Sequence, residues 1–216
     1  MKYVYIYCEG QTEEGFINNI LKPYFEQMGI YIIPIIHKTK RTATMSYRGG
    51  VSKYSDIRRE LDILCQNPNI IVTTMFDYYQ MPTDTPEINC NEPDIYRRME
   101  IIEDVINQDI GHSNLMFNLM LHEFETLLFS EPQAFKFIAR DNIVNAIQKI
   151  RDEFPTPEHI NNSLETAPSK RILHLIPNYS KTRQGVLIAK KIGITQMLAE
   201  CKHFAAWIEK IKNVCV

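Results

Sequence analysis

The opening residues constrain the fold more than any other stretch. Residues 2–8 (KYVYIYC) are β-branched and aromatic, which is the composition of a buried strand, and they stop at Glu9-Gly10. A carboxylate therefore stands at a strand's carboxyl end, next to a glycine that permits a tight turn. Residues 12–28 follow with Phe16, Ile17, Ile20, Leu21, Tyr24 and Phe25 at helical spacing. Thr12 is the expected N-cap and Pro23 the expected kink. The alternation then repeats. Residues 30–36 (IYIIPII) read as a strand whose Pro34 points to a sheet edge or a bulge. Residues 39–51 read as a basic loop and 53–66 as an amphipathic helix. Residues 70–76 form a buried strand ending at Asp77.

A loop rich in proline runs from Tyr78 to Asp94, and loops of that length inside a compact domain are usually functional. Residues 94–108 are expected to be helical, 115–121 to be a strand, and the rest, from 131, to be helical. This order specifies an α/β fold: a mostly parallel sheet flanked by helices over residues 1–130, with a helical C-terminal lobe over 131–216 packed upon it. Such sheets bind ligands at the carboxyl ends of their strands. Glu9, Asp77 and the run His122-Glu123-Phe124-Glu125 all fall there.

Charge and cysteine content narrow the function classes. With 24 Lys+Arg against 26 Asp+Glu the formal charge is −2, so any nucleic-acid contact needs a local basic patch or a bound cation. Five cysteines without C-x-x-C spacing argue against a zinc site built on cysteine pairs and against a disulfide framework. The first apolar run is too short for a signal peptide and no run reaches the length of a membrane span, so a cytoplasmic location is expected.

Glu9 and Glu13 are four residues apart, so a helix beginning near Thr12 brings both to the end of the first strand. Two carboxylates there suit Mg²⁺ or Mn²⁺, hard cations that take oxygen ligands. Glu14 reads as an ordinary first-turn acid. The run at 122–125 is not an H-E-x-x-H zinc site, because Thr126 stands where the second histidine belongs. As strand it places Glu123 and Glu125 on one face; as helix it leaves Glu125 alone near the site. His122 is balanced between a functional role and a core histidine bonded to backbone. Further on, Thr166 reads as a helix cap with Pro168 in the first turn. Lys170 and Arg171 sit early in that helix, where the dipole disfavours cations, which suggests that something anionic approaches. Tyr179, Lys181 and Arg183 form a second basic stretch able to meet phosphates. Cys201, His203, Phe204 and Trp207 read as core packing.

C-E-G-Q-T-E-E after a first strand, with a later strand ending in aspartate, resembles the TOPRIM fold of topoisomerases, primases and overcoming-lysogenization-defect nucleases. The resemblance implies a metal site in which Glu9 and Glu13 form the first acidic motif and Asp77 opens the D-x-D motif. The chain departs from the pattern at Tyr79, which stands where the second aspartate belongs, so that Asp84, Glu123 or Glu125 must supply that carboxylate. E-G-x-T-E-E, F-D-Y-Y-x-x-P, H-E-F-E-x-L-L-F, E-T-A-P-S-K-R and C-x-H-F-x-x-W together resemble the bacterial domain-of-unknown-function family 4276. Members of that family are often encoded beside an SMC/ABC-type ATPase, an arrangement typical of phage defence.

These features imply metal-dependent cleavage of DNA or RNA, with Glu9, Asp77 and Lys170 catalytic. Glu9, Glu13, Asp77, Glu123 and Glu125 are the candidate ligands of Mg²⁺ or Mn²⁺. Lys170, Arg171 and Lys181 are the candidate phosphate contacts. An SMC/ABC-type ATPase is the expected partner, and a homo-oligomer is left open. The rival is a non-catalytic docking or regulatory subunit of that ATPase with a degenerate site, which Tyr79 favours. A small-molecule phosphohydrolase using the same cation is a third reading.

Overall fold

The computed structural model of the protein describes residues 2–37, 53–160 and 166–215. The basic loop expected over 39–51 lies outside them, as does Glu165. Strand β1 (Lys2–Cys8) leads into helix α1 (Gln11–Phe16), a π-turn (Ile17–Leu21) and helix α2 (Lys22–Glu26). Thr12 does not cap: Gly10 holds the N-cap position in extended conformation with no side-chain bond. The π-turn places Pro23 in the first turn of α2, where its missing N–H costs little. Strand β2 (Ile30–Ile36), helix α3 (Tyr54–Leu64), strand β3 (Ile70–Asp77) and helix α4 (Ile95–Ile110) follow. Asp94 caps α4 through Tyr96 N–H and Arg97 N–H, and Gly111 closes it at φ 76°.

The expected strand at 115–121 is broken into β4 (Leu115–Met116) and β5 (Leu119–Met120). Two threonines of β3 explain the break. Thr73 Oγ1 donates to the Met116 carbonyl at 2.6 Å, while Thr74 Oγ1 donates to the Asn118 carbonyl at 2.7 Å and accepts its N–H at 2.8 Å. The Thr74 side chain thus stands in for the ladder at 118, while Asn107 Oδ1 of α4 accepts the Phe117 N–H at 2.8 Å. All strand pairs are parallel, in the order β2-β1-β3-β4, with β5 also on β3. Pro34 accordingly lies on an edge strand.

Alternation along the strands feeds two cores. Val4, Ile6, Cys8 and Met75 join one cluster with Phe16, Phe204 and Trp207; Tyr7, Val72 and Phe76 join the other with Ile57 and Ile102. The first is covered by α1 and by the C-terminal helices α7 (Val186–Ile192), α8 (Ile194–Glu200) and α9 (Lys202–Cys215). Helices α5 (Asp141–Asp152) and α6 (Pro168–Leu175) also contribute to it, through Val144, Ile147 and Ile172. Trp207 Nε1–H donates to Thr73 Oγ1 at 2.9 Å, so α9 is tied to the central strand. Cys201, His203, Phe204 and Trp207 are buried as expected, and all five cysteines are free.

Candidate functional site

The sheet order creates a switch point. From β1 the chain moves outward to β2, then crosses to β3 on the other side of β1, leaving a crevice at the carboxyl ends of β1 and β3. Glu9 and Asp77 end those two strands, and Glu9 Oε1 accepts the Asp77 N–H at 3.0 Å. Asp77 is buried; its Oδ2 accepts from Gln80 Nε2 at 3.2 Å, and its Oδ1 has no partner. Glu13 folds back toward the turn, so that a Cβ on Gly10 would lie 3.7 Å from its Oε2.

The 122–125 run supplies the opposite wall. It is neither strand nor α-helix: His122 has φ 70°, Glu123 is extended, and a 3₁₀ segment runs from Phe124 to Ser130. A left-handed non-glycine residue is uncommon, and such backbone is concentrated at functional sites. The turn buries Glu123 and Glu125 together. Lys181 Nζ lies 3.2 Å from Glu125 Oε2 and 3.8 Å from Glu123 Oε1. Glu123 Oε2 accepts the Ser169 N–H at 2.9 Å, in the first turn of α6. Pro168 marks that helix start in the sequence, and an unpaired first-turn N–H at residue 169 follows from it.

Among the described residues, five carboxyl groups thus share one field with a single ammonium. Burial, then Glu13 beside it, pushes Glu9 up to about 8. Burial raises Glu13, and burial followed by Glu9 and Glu13 holds Asp77 well above the usual carboxylate range. Burial carries Glu125 up to about 7, against the pull of Lys181. Burial alone would lower Lys181, but Glu125, Glu123 and Asp77 more than offset it. His122 turns its Nε2 to the Glu158 carbonyl at 3.0 Å and stacks under Tyr79 with ring centroids 5.2 Å apart. Burial lowers it to about 4, so it is neutral with the proton on Nε2, and Nδ1 has no partner. Its backbone contact is the one a core histidine makes.

The chemistry of the donor set fits a hard divalent cation: oxygens only, excess negative charge, and two buried orphans, Asp77 Oδ1 and Glu125 Oε1. Among the described residues, however, no three acidic, histidine or cysteine side chains stand close enough to hold a metal ion as they are. The carboxylates are turned to protein donors instead. Glu9 has taken the Asp77 N–H, Glu123 the Ser169 N–H and Glu125 the Lys181 ammonium.

Other sequence candidates lie apart from this cluster. Lys170 is exposed and makes no ion pair among the described residues. Arg171 donates from Nε to the Thr166 carbonyl at 2.8 Å and lies over the Phe154 ring. Ala167, not Thr166, is the N-cap of α6. Asp84 is exposed and accepts the Tyr54 N–H at 3.1 Å, which caps α3.

Fold and site together define a parallel α/β protein with an acidic centre at its topological switch point. The chain belongs to the family described as Domain of unknown function (DUF4276), whose model matches residues 8–212. Among solved structures it is similar to the C-terminal region of an OLD protein of Xanthomonas campestris pv. campestris. That likeness has 14% sequence identity, covers 100% of this chain and 98% of the other, and has a TM-score of 0.37. No match was found among curated proteins. No helix among the described residues is long and apolar enough to cross a membrane.

Proposed function

We propose that this chain cleaves nucleic-acid phosphodiester bonds with the help of Mg²⁺ or Mn²⁺, as the TOPRIM-like sequence motifs imply. The observation that supports this most directly is the uncompensated acid at the switch point. Among the described residues, Glu9, Glu13, Asp77, Glu123 and Glu125 gather around Lys181 as their one cation, an arrangement that disfavours folding unless a cation or protons neutralise it.

In this reading Asp77, Glu9 and Glu125 present oxygens to the cation, with Glu13 and Glu123 completing the negative field. When bound, the cation polarises the phosphate and acidifies a water. Lys181 is placed to offset charge developing on the phosphate, because its ammonium already lies among the carboxylates. Lys170 and Arg171 flank the entrance of α6 rather than its acidic wall, which suits a contact further along the nucleic-acid backbone. Water is the nucleophile. With a net charge of −2, delivery of DNA or RNA falls to a partner, proposed to be an SMC/ABC-type ATPase of a phage-defence system.

One observation favours a second reading, a non-catalytic subunit of that ATPase. Tyr79, where the second aspartate of D-x-D belongs, packs against His122. The deciding experiment incubates linear DNA and RNA with the protein, Mn²⁺ and the neighbouring ATPase. Cleavage that is lost in Asp77→Ala supports the enzyme. Cleavage that survives Asp77→Ala assigns the activity elsewhere and leaves the subunit reading.

A further inference from the structure

A phenol stands beside the acidic centre with no partner among the described residues. Tyr179 is 6% exposed, and its hydroxyl is fully buried with no hydrogen bond to any of them. A buried hydroxyl left unpaired costs roughly 1–3 kcal/mol, yet a phenylalanine in its place would avoid that cost. The surroundings are shaped to admit the oxygen. A Cβ on Gly185 would lie 2.5 Å from Tyr179 Oη and 3.3 Å from Phe124 Cε1, so only glycine leaves room there. Gly185 has ordinary helical backbone (φ −58°), so conformation does not explain its presence.

The notch places the hydroxyl against Phe124, the residue between Glu123 and Glu125. Tyr179 also lies two residues before Lys181, the cation of the site. Across the same wall, Glu125 Oε1 is a buried acceptor with no donor. Tyr179 Oη and Glu125 Oε1 are thus both buried without hydrogen-bond partners among the described residues, and Glu125 is the charge that acts most strongly on the phenol. Burial, then Glu125 and Glu123, pushes the phenol up, so it remains a proton donor at all ordinary pH.

We propose that Tyr179 is a positioning residue of the acidic centre, its hydroxyl donating to Glu125 Oε1 and holding that carboxylate turned toward a divalent cation. Glu125 Oε2 accepts from Lys181 Nζ at 3.2 Å, which leaves its Oε1 as the oxygen for the phenol. Cation binding draws Glu125 inward and completes the pair. Partners that orient ligating groups typically contribute 10- to 100-fold to metal affinity. The inference rests on the cation-dependent reading of the site.

The test titrates Mn²⁺ into the full chain and into Tyr179→Phe by calorimetry, with thermal unfolding of each in EDTA. The expected result is opposite movement. Without metal, Tyr179→Phe melts at the parent's temperature or above it, because an unpaired polar atom has been removed. With metal, its Mn²⁺ affinity falls by about 10-fold or more. A purely structural tyrosine would lower the melting temperature and leave the affinity alone. Gly185→Ala supplies a second arm: its methyl displaces the hydroxyl, so it should weaken Mn²⁺ binding in the parent but add little in Tyr179→Phe. Parent-like affinity in Tyr179→Phe, or a variant that unfolds without metal, overturns the assignment while leaving the cation site standing. Absence of Mn²⁺ binding by the parent overturns both.

Discussion

Glu9 Oε1 accepts the main-chain N–H of Asp77 at 3.0 Å, so the ends of β1 and β3 are joined by a carboxylate rather than by the strand ladder. This bond spends one oxygen of Glu9 on the sheet and leaves the Asp77 side chain facing its neighbours' negative charge. The two residues consequently have separable roles. Glu9 ties the switch point together, and Asp77 carries the orphaned oxygen.

Asp77→Asn is expected to stabilise the protein in EDTA by roughly 1–2 kcal/mol, since it replaces a buried acid that must either hold a proton or ionise among like charges. The same change should abolish Mn²⁺ binding. Glu14→Ala, half-exposed on α1 outside the cluster, should change binding less than twofold. Chemical denaturation in EDTA and calorimetric titration measure the two effects. Equal losses of binding in both variants would remove Asp77 from the site.

Stability in EDTA should fall as pH rises from about 6.5 to about 8. Glu9 is pushed up to about 8 and Glu125 up to about 7, and Asp77 is also raised. Unfolded carboxyls titrate near 4.3, so over this window the folded chain keeps protons that the unfolded chain has released, and the folded state loses ground. The expected slope is roughly 1 kcal/mol per pH unit for one retained proton. His122, lowered to about 4, and His37, also lowered by burial, act in the opposite sense, but only below about 6.5 where unfolded histidine charges. Saturating Mn²⁺ should flatten the decline and stabilise more at pH 8 than at 6.5, because ligands must shed their protons. Urea midpoints across this range, with and without Mn²⁺, check it. A rise with pH in EDTA would contradict the clustering of the acids.

Thr73→Val should destabilise the chain by roughly 1–3 kcal/mol, although it conserves shape. Thr73 Oγ1 donates to the Met116 carbonyl and accepts the Trp207 indole N–H, so valine leaves two buried groups unpaired. Trp207 is the sole tryptophan, so its fluorescence reports the change directly during denaturation. An unchanged midpoint would mean that α9 is not held to β3 by this bond.

The sequence exposed the strand-end acids because Glu9 and Asp77 follow unbroken apolar runs, and period and composition are local signals. The broken strand at 115–120 was hidden, because Thr73 and Thr74 reach across 43 and 44 residues to take over the ladder. The conformation of 122–125 was also out of reach. Both the strand and the helix alternatives assumed regular backbone, whereas His122 enters the left-handed region. Thr12 and Thr166 looked like caps by residue type, but Gly10 and Ala167 took those positions. Lys181 rather than Lys170 reaches the acids, since the α6 entrance meets Glu123 with a main-chain N–H and leaves the Lys170 side chain outside.

That last placement separates the two lysines in an activity measurement. The proposed cleavage needs a fixed positive charge close to the phosphate as charge develops there. Lys181 is the described residue that meets this condition, with Nζ 3.2 Å from Glu125 and 3.8 Å from Glu123. Lys181→Met should therefore reduce Mn²⁺-dependent cleavage by about 100-fold or more, the magnitude typical of removing one such group. Lys170→Ala, which removes the exposed lysine proposed as a phosphate contact, should weaken substrate binding at higher salt and alter the maximal rate less than fivefold. Glu9→Ala should abolish cleavage while circular dichroism shows the fold retained. The assay uses linear DNA with the ATPase present, at two salt concentrations, so that binding and rate effects separate. If Lys170→Ala lowers the maximal rate and Lys181→Met does not, then the α6 entrance is the reacting face, and Lys181 serves only to neutralise the acids that surround it.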